Sequence, residues 1–203
     1  MRTTLILIAA TALLASAAAA TYYLDERFEG TEFPPAGWRV FQINNGNWYH
    51  GGTWPPGNGY YAAGNATQPG RMTMDYVAAA LIAPPFTVPA PKTLYYRFVY
   101  CVILSTRGDL PLPGFAGEFY LYYVDTGEPL EHLIFNGPVY PWAEASGAVP
   151  VAANRPVTAV WYVAYLPPDH GTTLFDVDTC QICDENLTAV APASLGRVKA
   201  LFR

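Results

Sequence analysis

The sequence predicts an all-β protein, folded as an antiparallel jelly-roll β-sandwich with a short helical or disordered C-terminal tail. Three observations lead there. Roughly eight to ten runs show the period-two alternation, or the β-branched and aromatic enrichment, of pleated strands. Clusters of turn-forming residues separate the runs, drawn from 19 Pro and 17 Gly. No internal segment carries a convincing helical period, and 15% aromatic against 13% charged residues suits half-buried sheets.

Taken in order, Tyr22 to Glu29 (YYLDERFE) reads as the first strand, with Tyr22, Leu24 and Glu26 on one face and Tyr23, Asp25 and Arg27 on the other. The turn Gly30 to Gly37 leads into Trp38 to Ile43, which alternates cleanly, and Asn44-Asn45-Gly46 is a strong turn signal. Asn47 to Gly70 is dense in Gly, Asn, Pro and aromatics and is expected as a long loop. Tyr76 to Val88 is a strand broken by Pro84-Pro85, and Thr93 to Leu104 is the longest strand and an interior one, being apolar on both faces. After the Pro/Gly loop Ser105 to Gly117 come strands at Glu118–Asp125 and Pro129–Phe135, joined by Thr126-Gly127. Asn136 to Pro156, holding Trp142, is expected to be irregular. Val157–Leu166 and Leu174–Cys183 are the last strands. Ser194 to Arg203 is the one helix-like piece, too short to be stable in isolation, and is expected to fray or to dock in self-association.

Residues 1–20 read as a signal peptide: Arg2, an apolar core from Leu5 to Leu14, and small residues from Ala17 to Ala20. The organisation expected is thus a leader at 1–20, one domain at 21–190 and a tail at 191–203, in a secreted or cell-surface protein with no membrane span once the leader is removed. The net charge of −5 becomes −6 without Arg2, and with pI ≈ 5.1 and no basic run the chain is a poor partner for nucleic acid. Cys101, Cys180 and Cys183 allow at most one internal bridge, and a structural bridge or buried thiols are expected.

The aromatic stretch supplies the candidate ligand site. Sugar rings stack their C–H faces on Trp and Tyr while amides and carboxylates bind the hydroxyls. Trp48, Trp54, Tyr60, Tyr61 and Asn47 are the residues expected to form such a platform; closing the open end of the sandwich is the other use for the same aromatics. Enzymatic readings lack support: His50, His132 and His170 are scattered, no zinc-protease or serine-elbow motif is present, and Asp176-x-Asp178 is the only alternating acid pair a glycosidase could use.

The order of landmarks resembles the cleaved-adhesin, or choice-of-anchor J, type of bacterial surface domain, a relative of the MAM jelly rolls. The residues that carry the resemblance are Phe28-Glu29, the turn Phe33 to Trp38, the Asn/Gly-rich aromatic stretch, Leu81 to Phe86, Thr93 to Phe98 and the closing Leu174 to Asp178 (LFDVD). It implies a secreted, non-enzymatic jelly roll used in adhesion or carbohydrate binding, with a surface glycan or protein as partner. It also implies that first and last strands lie side by side around a structural calcium ion, for which Glu29 and Asp178 match best. Asp25 and Asp176 are the further expected ligands, since carboxylates from distant strands can supply the six to eight oxygens calcium takes. Thr179 stands where the family often has a second aspartate. Neutralisation of part of this acidic group by Arg27 or Arg39 is the alternative. A structural subunit of a surface layer or filament is the second functional reading, and a glycoside hydrolase the third.

Overall fold

The computed structural model describes residues 20–44, 46–52, 59–67, 77–106, 117–165 and 171–186. Residues 1–19, which hold nearly all of the expected leader, Trp54 and the expected tail at 191–203 lie outside them. The described residues form eleven strands: β1 (Tyr22–Glu26), β2 (Arg39–Ile43), β3 (Asn47–Gly51), β4 (Tyr61–Thr67), β5 (Val77–Ile82), β6 (Lys92–Thr106), β7 (Gly117–Tyr123), β8 (Pro129–Phe135), β9 (Val139–Val151), β10 (Val157–Tyr165) and β11 (Gly171–Cys183). They make two antiparallel sheets. The larger runs β3-β4-β11-β6-β9 with β1 also paired to β11, and the smaller runs β2-β5-β10-β7-β8.

Alternation in the sequence becomes layering. In β7 every second residue from Gly117 to Tyr123 is buried. In β10 Val157, Ala159, Trp161 and Val163 face inward. Trp161 is the hub of an aromatic cluster between the sheets, with ring centroids 5.3 Å from Phe119, 5.6 Å from Trp38 and 5.7 Å from Phe98. Such stacked, tilted and edge-on pairs each contribute about 0.5–1.5 kcal/mol beyond the area they bury.

Two expectations are corrected. The stretch expected as a loop from Asn47 contains β3 and β4. Gly51 and Gly64 are packing residues: a Cβ at Gly64 would lie 2.9 Å from the Trp48 indole, and one at Gly51 would lie 2.4 Å from the Tyr61 ring. The stretch expected to be irregular contains β9. It pairs only with β6, and an edge strand tolerates Pro141 and Pro150, while Gly147 leaves room for the Tyr96 hydroxyl.

A third correction concerns Cys180, which alternation from Asp176 would place with the carboxylates. On β11, Asp178 faces Val99 and Gln181 faces Arg97, so three steps on one strand answer two on the other. That β-bulge, with Thr179 at φ 51°, inverts the facing of everything after it. Cys180 and Ile182 therefore join Phe175 and Val177 in the core. Cys183, three residues on from Cys180, points to the opposite face, so the two sulfurs cannot meet. All three cysteines are buried free thiols.

Removing the hub should be severe. Trp161→Ala is expected to lower stability by about 3–5 kcal/mol in equilibrium urea unfolding; a loss below 1 kcal/mol would show that the cluster is not central.

Candidate functional site

β11 positions both sets of candidate residues. On one edge it pairs first with β4, through Thr172 to Val177, and then with β1, through Cys180 to Cys183; the bulge lies at the junction. The side-by-side placement of first and last strands is thus realised. Just past β1, Glu26 turns its carboxylate back on the chain, its Oε1 accepting from the backbone N–H of Arg27 at 2.9 Å and of Phe28 at 2.6 Å. Phe28 takes φ 57° there and buries its ring, which points the chain away from the sheet and sets Glu29 at the junction.

Glu29 is exposed, and its carboxylate fills the space beside Gly59: a Cβ on Gly59 would lie 1.9 Å from Glu29 Oε1. Asp178 is half-buried, and its Oδ1 accepts from the backbone N–H of Thr179 at 2.6 Å. Burial, together with the charge of Glu29, pushes the Asp178 carboxyl up to about 6 against that hydrogen bond. The other two expected ligands do not join this pair. Asp25 accepts from Gln181 Nε2 at 3.1 Å and lies 3.7 Å from Arg27. Asp176 sits between Ala63 on β4 and Cys101 on β6, where its charge acts on Tyr49, Tyr61 and Cys101. Among the described residues, no group of three or more His, Cys, Asp and Glu is arranged to hold a metal ion. Glu29 and Asp178 fit a cation in charge, but only with backbone or water oxygens completing its shell.

The aromatic residues divide as well. Trp48 faces the core, with its ring 6.1 Å from Phe175 and its Nε1 donating to Ala79 O at 3.1 Å, so it offers no face to a ligand. The physical reason is alternation: Trp48 and Tyr49 are neighbours on β3, and only one of them can face out. Asn47 is exposed and its Oδ1 accepts from Gln42 Nε2. Tyr60 is exposed and stacks on His50 at 4.4 Å, and His50 in turn stacks on Phe33. Tyr61 projects from the outer face of the larger sheet. Trp54 lies outside the described residues.

What the structure gathers on that outer face is a row across four strands: Tyr49 on β3, Ala63 on β4, Asp176 on β11 and Cys101 on β6. Tyr61 stands beside the row and meets Trp142 of β9 edge-on at 5.5 Å. Asp176 is 4% exposed, and burial pushes its carboxyl up to about 7. None of the ion pairs among the described residues involves it. Burial, and then the Asp176 charge, raise the Tyr61 hydroxyl to about 12 and the Cys101 thiol to about 11. Trp142 Nε1 is buried with no hydrogen-bond partner among the described residues. Neither Tyr49 nor Trp142 is among the ligand residues expected from the sequence; the alternation of Trp48 with Tyr49 is the signal for the first, and the sequence around Trp142 carries none.

Two solved structures share this architecture. The first is TmCBM61 in complex with β-1,4-galactotriose, at a TM-score of 0.56 and 14% identity, covering 81% of this chain and 99% of that one. The second is the K1 cleaved adhesin domain of Lys-gingipain from Porphyromonas gingivalis W83, at a TM-score of 0.51 and 16% identity, covering 82% of this chain and 99% of that one. The fold is that of a cleaved-adhesin-like jelly roll. At these identities the likeness to both structures is one of fold alone. No family model and no curated protein matched the chain. In this jelly roll β1 closes against β11, and the face bearing Asp176 lies on the opposite side of β11 from the core.

Asp176 gives a pH test. Its pKa is raised in the folded state, so its contribution to stability is fully present below the unfolded-state pKa near 4 and is lost as pH rises through about 7. In chelator, the wild-type melting temperature is expected to fall between pH 4 and pH 7, and Asp176→Asn to flatten that fall. Equal slopes in the two proteins would show that burial does not act on this carboxyl.

Proposed function

We propose that this protein is a secreted, non-catalytic domain that binds carbohydrate at a cell surface through the outer face of its larger sheet. The observation that carries the reading is Tyr49, Tyr61 and Trp142 gathered around the buried carboxylate of Asp176. Tyr49 is 43% exposed on that face. Rings on a flat sheet face stack on the C–H faces of sugars, and the field of a carboxylate buried beneath them acts on the hydroxyl dipoles laid above. A fold shared with a carbohydrate-binding module and an adhesin domain supports the same reading. Export is supported by the leader-like composition of residues 1–20.

A structural calcium ion between Glu29 and Asp178 belongs to this proposal. The two carboxylates act on each other, and a cation would relieve the repulsion while tying the exit of β1 to the bulge of β11. An ion bound only by the folded state must stabilise it.

Two experiments test the proposal. In calorimetric titration against neutral gluco-, xylo- and galacto-oligosaccharides, Tyr61→Ala and Trp142→Ala are each expected to weaken binding about tenfold or more, near 1.4 kcal/mol. Tyr60→Ala should change it little. Binding that survives both outer-face variants would move the site elsewhere. For the ion, calcium is expected to raise the melting temperature of the wild type relative to chelator, and not that of Asp178→Asn or Glu29→Gln. The shift should persist in Asp25→Asn, and no shift in the wild type would end the calcium reading.

A further inference from the structure

The outer face of the larger sheet carries charge as well as rings, and its acids Asp25, Glu144, Asp176 and Asp178 outnumber Arg27 and Arg97. Asp176 lies on it without an ion-pair partner among the described residues, and Asp178 faces the same way two residues on. The basic side chains that the described residues present nearby are already engaged. Arg97 Nη2 lies 2.7 Å from Glu144, and Arg27 lies 3.7 Å from Asp25. The neighbours of Asp176 in the row, Ala63 and Cys101, are short and uncharged, so neither side chain screens its carboxylate from whatever lies on the rings. A charge that is 4% exposed is screened weakly by solvent and salt, and its field reaches the surface nearly undiminished.

We infer that Asp176 sets the charge preference of this face, admitting uncharged oligosaccharides and excluding glycans that carry carboxylates. The inference rests on the carbohydrate-binding reading above and names its ligand class. A neutral sugar brings no second anion into the field of Asp176. A uronate laid on the same rings brings a second negative charge to a face with no free cation among the described residues, in a chain whose net charge is already −5. Like charges brought together in a weakly screened setting repel strongly, and the aromatic contacts are the same for both sugars, so the carboxylate decides. Asp178 contributes less, being more open to solvent and held by the Thr179 N–H.

The test compares each neutral oligosaccharide with the same oligomer oxidised at C6 to the uronate, by calorimetric titration at pH 8 and low ionic strength. Wild type is expected to prefer the neutral form at least tenfold. Asp176→Asn should bring the two affinities to within about threefold, and Glu185→Gln, which removes an exposed acid outside this face, should leave most of the preference in place. Should Asp176→Asn fail to fold, Asp176→Thr, of similar volume and high strand propensity, removes the same charge. Equal affinity for both forms in the wild type, or a ratio indifferent to removing the Asp176 charge, would each overturn the inference. If neutral sugars bind and Tyr61→Ala abolishes binding while the ratio stays fixed, only the role of Asp176 falls. If no sugar binds, the site and the inference fall together.

Discussion

The bulge at Asp178–Gln181 is the constraint on which the rest of the structure depends. β11 lies inside the larger sheet, and one of its edges must serve two strands in turn, β4 before the bulge and β1 after it. Facing in a strand alternates strictly, so without the extra residue Gln181 and Cys183 would turn inward and Ile182 outward. With it, Phe175 and Val177 pack into the core ahead of the junction, and Cys180 and Ile182 pack into it beyond. A non-glycine residue in the left-handed region is strained by about 1–2 kcal/mol, and Thr179 is held there by the Asp178 carboxylate on its own N–H. Asp178 therefore has a structural task before any ion is considered. Phe28 repeats the device on the other side of the junction, with Glu26 as its acceptor. Two acids close the sandwich by fixing two unusual backbone turns.

This explains what the sequence disclosed and what it withheld. β2, β7, β8, β10 and most of β11 were legible because alternation, with turn residues at the ends, is a local signal. β3, β4 and β9 were not, because Gly51, Gly64, Gly147, Pro141 and Pro150 look like loop residues until their neighbours are known. Each of those glycines is required by a ring or hydroxyl arriving from another strand, which no local pattern reports. The pairing of β1 with β11 came from the order of landmarks along the whole chain, and no single residue announces it. The bulge was invisible for the opposite reason: Thr179 looks like an ordinary strand residue.

The candidate site was half legible for the same cause. Reading Asn47 to Gly70 as a loop made all its aromatics equivalent, so Trp48 and Tyr61 were grouped together. Once the stretch is two paired strands, facing separates them: Trp48 goes to the core, and Tyr49 and Tyr61 go to the outer face. Asp176 and Asp178 were grouped by being two apart, and they do share a face. Their surroundings differ because β4 ends where β1 begins. Asp178 lies at that break beside Glu29, whereas Asp176 lies under the unbroken row between Ala63 and Cys101.

Asp176 is the residue whose presence stability does not explain. A carboxylate buried without a cation opposes folding through desolvation, and a Val or Thr of similar size in a β-strand would not. Asp178 is repaid by the backbone it fixes; among the described residues Asp176 fixes no turn and pairs with no base. A local violation of the rules that make a sheet stable, set among exposed and half-buried aromatics on a solvent-side face, is where a protein trades stability for recognition. On the carbohydrate-binding proposal, the bulge builds the face and the aromatics hold the sugar, but neither would give it a preference. A buried charge under the rings would, because among sugars of one shape, charge is the property the rings themselves cannot read.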